Sequence, residues 1–170
     1  MPQLTVYNQM ALGVPGEIIF DGPKRSQPFQ LESNGVPNIV GATAYTVVSE
    51  GVAMAGGTGY FAGILANPKV YASIGTTVGG PLAPTMQLPD GDEAELVTET
   101  SGLVITTPDA GNIGDNIIFN NATGALSILA SGTVVPGGST LIPGASVTRF
   151  TVSAAGLAVI EMTGQRVNTV

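Results

Sequence analysis

A chain of 170 residues with 12 Asp and Glu against 5 Lys and Arg carries a formal charge of -7, which opposes direct binding of nucleic acid. Cys and His are both absent, so disulfides, thiolate metal sites, Cys nucleophiles and His-based catalytic triads are excluded. Hydrophobic residues at 44%, charged residues at 10% and 24 glycines describe a chain too apolar for disorder and too glycine-rich for a helical bundle.

The opening sequence MPQLTVYNQM lacks the basic start and apolar run of a secretory signal, and the chain is expected to be complete and soluble. Pro2, Pro15, Pro23 and Pro28 rule out a long helix or central strand near the start, so residues 1–34 are predicted to form an extended arm with one short strand, Glu17 to Phe20. From Val36 the texture changes to short Val, Ile, Thr and Ala runs cut by Gly, Asn or Pro. Strands are expected at Ile39 to Val48, Gly59 to Leu65, Val70 to Ile74, Ala94 to Thr98, Leu103 to Thr106, Asn116 to Asn120, Ala125 to Ile128, Ser146 to Val152 and Ala158 to Met162. Alternation in SVTRFTV assigns Val147, Arg149 and Thr151 to one face and Thr148, Phe150 and Val152 to the other.

The run VAMAGGTGYFAGILA is too short and glycine-broken to span a membrane, and a helical turn in AYTVVSEGVAMAGGTGYF would have to tolerate Gly56 and Gly57. Turns are expected at Asp90-Gly91, Asn120 to Gly124 and Gly137-Gly138. Between them TTVGGPLAPTMQLPDG reads as a long irregular connection. GVPGEIIFDG near the start is echoed by GNIGDNIIFNN from Gly111, each a glycine turn and an acid feeding an apolar strand. The predicted fold is therefore all-β: a Gly-rich β-barrel or β-sandwich of short strands over residues 35–170, with an extended N-terminal arm over residues 1–34.

The densest chemistry is LPDGDEAELVTET, which holds Asp90, Asp92, Glu93, Glu95 and Glu99. A calcium loop would need ligands where Leu96 and Val97 stand, and a glycosidase pair would need a cleft with stacking aromatics in a chain with no Trp. The expected structure is a turn feeding a strand, with Ala94 and Leu96 inward and Glu93, Glu95, Val97 and Glu99 on the opposite face. GGTGYFAG and GTTVGGP lack the Lys-Ser/Thr pair of a phosphate loop. No metal, cofactor or catalytic residue is predicted. Lys24 and Arg25, an adjacent basic pair in an acidic chain, are either solvated or dock an acidic groove on a partner.

GVPGEIIFDGP, GYFAGILANP, LPDGDEAELVTETSGLVIT and NIGDNIIFNNATGALSI occur in that order over nearly the whole chain. Together they resemble the structural cement, or decoration, proteins of tailed-bacteriophage capsids. The resemblance implies a non-enzymatic virion subunit that binds the exterior of the expanded head between major capsid proteins, as a homotrimer, with no nucleic-acid or membrane partner. It also implies that the arm reaches neighbouring subunits, with Thr5 to Phe20 as the matching stretch and Leu4, Val6, Tyr7, Ile18, Ile19 and Phe20 as anchors. The alternative is another virion part, such as a tail-tube, head-completion or fibre-associated β-protein.

Overall fold

The computed structural model describes residues 13–67 and 87–164, and it is all-β: among the described residues there are eleven strands and no helix. In chain order these are β1 (Arg25–Glu32), β2 (Asn38–Ile39), β3 (Ala44–Ser49), β4 (Val52–Ala55), β5 (Phe61–Leu65), β6 (Gln87–Leu88), β7 (Glu93–Thr107), β8 (Asn116–Asn120), β9 (Leu126–Leu129), β10 (Ser139–Val147) and β11 (Gly156–Thr163). Strands β2 and β6 pair only with each other.

The large sheet closes on itself at one end. Strand β1 runs parallel to β4 and antiparallel to β7, while β4, β3, β5 and β7 follow one another, giving a closed ring of five strands. From β7 the pairing continues through β11, β10, β8 and β9. Strand β7 is thus shared: Glu93 to Glu99 face β1, and Glu99 to Thr107 face β11.

Two cores follow from this sharing. Inside the ring lie Leu31, Tyr45, Leu65 and Leu96 with four alanines, Ala53, Ala55, Ala62 and Ala94. A five-stranded ring is narrow, so one tyrosine and several methyl groups fill it. The second core gathers Leu103, Ile105, Ile117, Phe119, Ile142 and Ile160. Neighbours in sequence divide between the cores, as in Leu96 and Val97, Leu65 and Ile64, Tyr45 and Ala44, because side chains alternate across a strand. Val97, expected on the carboxylate face, is therefore 1% exposed.

Several elements depart from the sequence reading for identifiable reasons. Gly41, at φ +68°, breaks the expected Ile39 to Val48 strand into β2 and β3. AYTVVSEGVAMA forms a β3–β4 hairpin, turning at Gly51 with φ +74°, and holds no helical turn. The two strands expected at Ala94 to Thr98 and Leu103 to Thr106 are one. Strand β10 begins at Ser139, with Pro143 and Gly144 inside a register shift between Leu141 and Ser146, where a missing N–H breaks no ladder bond. The alternation of SVTRFTV ends at Val147: Arg149 turns to φ +65° and Phe150 stands 46% exposed.

Within the stretch expected to be an arm, the strand at Glu17 to Phe20 reduces to one bridge, Ile18 to Leu103, and Arg25–Glu32 is a strand of the ring. Gln30 N–H donates toward the β4 side and Leu31 N–H toward β7, so the nitrogen of Pro28 aims at the β4 side, which β4 leaves uncovered at that point. The expected strand Val70 to Ile74 lies outside the described residues.

Candidate interaction surface

Residues 13–22 lie along the edge of β7 that β11 leaves free. Gly16 N–H donates to the Val104 carbonyl at 2.7 Å, Val104 N–H to the Glu17 carbonyl at 2.9 Å, and Ile19 N–H to the Gly102 carbonyl at 3.0 Å. Gly16 also joins this edge to the end of β5, accepting from Asn67 N–H at 2.9 Å. Its φ of +78° and the backbone of Asn67, which would collide with any Cβ, require glycine there.

The turn that delivers this segment has a twin. Glu17 N–H donates to the Val14 carbonyl while the Glu17 carboxylate accepts from Val14 N–H, both at 3.1 Å. Asp115 does the same with Asn112, at 3.1 Å and 2.7 Å, and its other oxygen accepts from Ser131 N–H at 3.0 Å. The G-x-x-G-acid echo is thus one local geometry used twice, with Gly16 and Gly114 both at positive φ.

Ile18 packs against the second core. Phe20 lies on Gly102, where a side chain would strike its ring, and the Arg149 guanidinium sits 4.3 Å from the ring centroid on the segment. Asp21 to Lys24 are exposed and link Phe20 to β1. Arg25 reaches Glu99 at 3.9 Å and is 55% exposed, a pair worth little in water. Beside the segment an open groove of about 980 Å³ is lined by Glu17, Asp21, Lys24, Pro28, Glu93 and Glu95, among others.

Ile18, Ile19 and Phe20 are thus brought together on β7, Lys24 lies in the link, Arg25 opposes Glu99, and Leu4, Val6 and Tyr7 lie outside the described residues. Gly102 and Arg149 had no sequence signal: their roles appear only when Phe20 lies between them. Asp90 and Gly91 form the expected turn, and Asp90 accepts from Ser33 N–H at the end of β1. Ala94 and Leu96 point inward, with Glu93 and Glu95 exposed.

Among the described residues no three metal-ligating side chains gather. Burial raises the Tyr45 hydroxyl well above the usual tyrosine range, but Tyr45 is sealed in the ring, donating to Asn38 Oδ1 at 2.7 Å. The exposed large apolar side chains include Val134 at 86% and Ile113 at 58%.

The family model described as structural cement protein (E217 gp24/Pam3 gp6) matches residues 2–163. A chain from a solved structure, the capsid of Myoviridae phage XM1, is similar in fold with a TM-score of 0.59 and 18% identity, covering 93% of this chain and 94% of that one. Among curated proteins none matches the sequence.

Proposed function

The chain belongs to the structural cement protein family, and on that premise we propose that it is a virion structural protein that binds the exterior of the phage capsid and stabilises the expanded head. The observation that carries this reading is the family match over residues 2–163, nearly all of the chain. An all-β subunit held by backbone pairing and two hydrophobic cores has the close packing that a rigid surface part requires.

The finer reading is that residues 1–34 include an arm that contacts neighbouring subunits. Leu4, Val6, Tyr7, Ile18, Ile19 and Phe20 are its apolar anchors, and Lys24 and Arg25 its charged contacts. Residues 13–22 hold the base of such an arm on β7, and an extended segment gains main-chain hydrogen bonds wherever it meets a free edge. The partners are the major capsid protein and further copies of this chain, as a homotrimer, and the protein has no catalytic role.

Co-sedimentation with expanded heads lacking the protein tests this. Saturable binding together with a rise in the temperature at which heads release DNA is expected. Absence of binding, or heads equally stable without the protein, overturns it. Electron microscopy of labelled protein on virions separates this position from one in the tail.

A further inference from the structure

We propose that Asn34 is a site of spontaneous deamidation, through a succinimide formed with Gly35, and that it is the first asparagine of this chain to react. Asn34-Gly35 is the sole Asn-Gly pair in the sequence. The two residues are exposed at the centre of a turn between β1 and β2, at φ 47° and 76°, closed by Val36 N–H donating to the Ser33 carbonyl at 2.8 Å. Asn34's carboxamide accepts and donates no hydrogen bond among the described residues, and nothing stands within 4 Å of where a Gly35 side chain would begin.

Every other described asparagine is held back. Asn38 is buried, with its oxygen on the Tyr45 hydroxyl and Ile39 following. Asn67 precedes Pro68, which has no N–H to attack with. Asn112 and Asn116 precede β-branched isoleucines, whose bulk opposes ring closure. Asn120 and Asn121 have their carboxamide oxygens engaged, by the N–H groups of Ala122 and Thr123 and by the Thr140 hydroxyl. Beyond the described residues, Asn8 and Asn168 precede Gln9 and Thr169.

The chemistry balances with water alone. The Gly35 nitrogen gives its proton to solvent base and adds to Asn34 Cγ, and the side-chain nitrogen leaves as ammonia. Water then opens the imide, at the main-chain carbonyl to give isoaspartate or at the side-chain carbonyl to give aspartate. Either product places a carboxylate beside the turn where Asp90 already accepts from Ser33 N–H. Isoaspartate also lengthens the main chain within a two-residue turn, so the bond between Ser33 and Val36 is lost. The clasp between the end of β1 and the Asp90-Gly91 turn loosens as the protein ages, whatever the protein binds.

Folded protein is incubated in mildly alkaline buffer, alongside protein held unfolded in urea, and peptides are mapped by mass spectrometry over time. The expected first change is the mass gain of amide-to-acid conversion at Asn34, with an isoaspartate product in excess of aspartate. Isomerisation at Asp21-Gly22 or Asp90-Gly91 would leave mass unchanged and so cannot imitate it. Gly35→Ala is expected to slow the reaction by an order of magnitude in the unfolded chain, and Asn34→Asp is expected to melt lower than the parent, as the aged protein does. Earlier conversion of another asparagine overturns the proposal. So does an Asn34 that survives in the folded protein long after it is consumed in urea.

Discussion

At the scale of single residues, the few polar groups inside this protein do structural work. Tyr45 fills the ring and needs Asn38, and Asn38 needs Tyr45: removing the hydroxyl leaves a buried amide oxygen without its donor. Tyr45→Phe should cost about 1–3 kcal/mol in chemical denaturation. The same pair sets a pH response. Because burial raises the folded pKa, the unfolded chain loses its proton first, and stability falls as pH rises past the ordinary tyrosine value of about 10. Melting temperatures of the parent should drop more steeply above that pH than those of Tyr45→Phe. Asp115 is a second such residue, since both its oxygens accept backbone N–H groups from two loops. Asp115→Asn replaces one acceptor with a donor facing a donor and should lower stability by about 1–3 kcal/mol, read as a shifted urea midpoint.

At the scale of elements, legibility followed turn chemistry. Asn116–Asn120 was read to the residue because a glycine-acid turn brackets it on one side and NNATG on the other. Strand β1 is not legible in the sequence because a proline inside a strand argues against one, and only the uncovered side of β1 makes Pro28 harmless. The continuity of β7 through Gly102 is not legible either, since no local rule says that the ring of Phe20 fills the place of the missing side chain. Alternation does not decide between barrel and sandwich, because the closed ring depends on β1 meeting β7 across 63 to 74 residues. In the site, the apolar run Ile18 to Phe20 was visible and its covering partner Arg149 was not. Gly102→Ala should push Phe20 off β7 and cost roughly 1–3 kcal/mol, as overpacking does. In a double-mutant cycle with Phe20→Ala the two losses should not add, because both abolish one contact. Additive losses would show that the ring and the glycine act separately.

At the scale of the whole molecule, two truncations separate what residues 13–22 do from what residues 1–12 do. Residues 13–22 complete the fold: they satisfy the backbone of β7 at Gly102 and Val104, and Ile18 contributes to the second core. Removing residues 1–22 therefore exposes a strand edge and apolar surface, and the shortened protein should melt lower and self-associate in light scattering. Removing only residues 1–12 leaves those bonds in place, so the melting temperature should fall less than when residues 1–22 are removed. If the arm carries attachment, that shorter truncation should still bind heads less tightly, because each lost contact is one of several engaged at once and its loss reduces the overall avidity multiplicatively. Co-sedimentation weakened beyond any change in melting supports an arm that serves the particle. Full co-sedimentation would place attachment on the described surfaces instead, among which the exposed Val134 and Ile113 are the first to test.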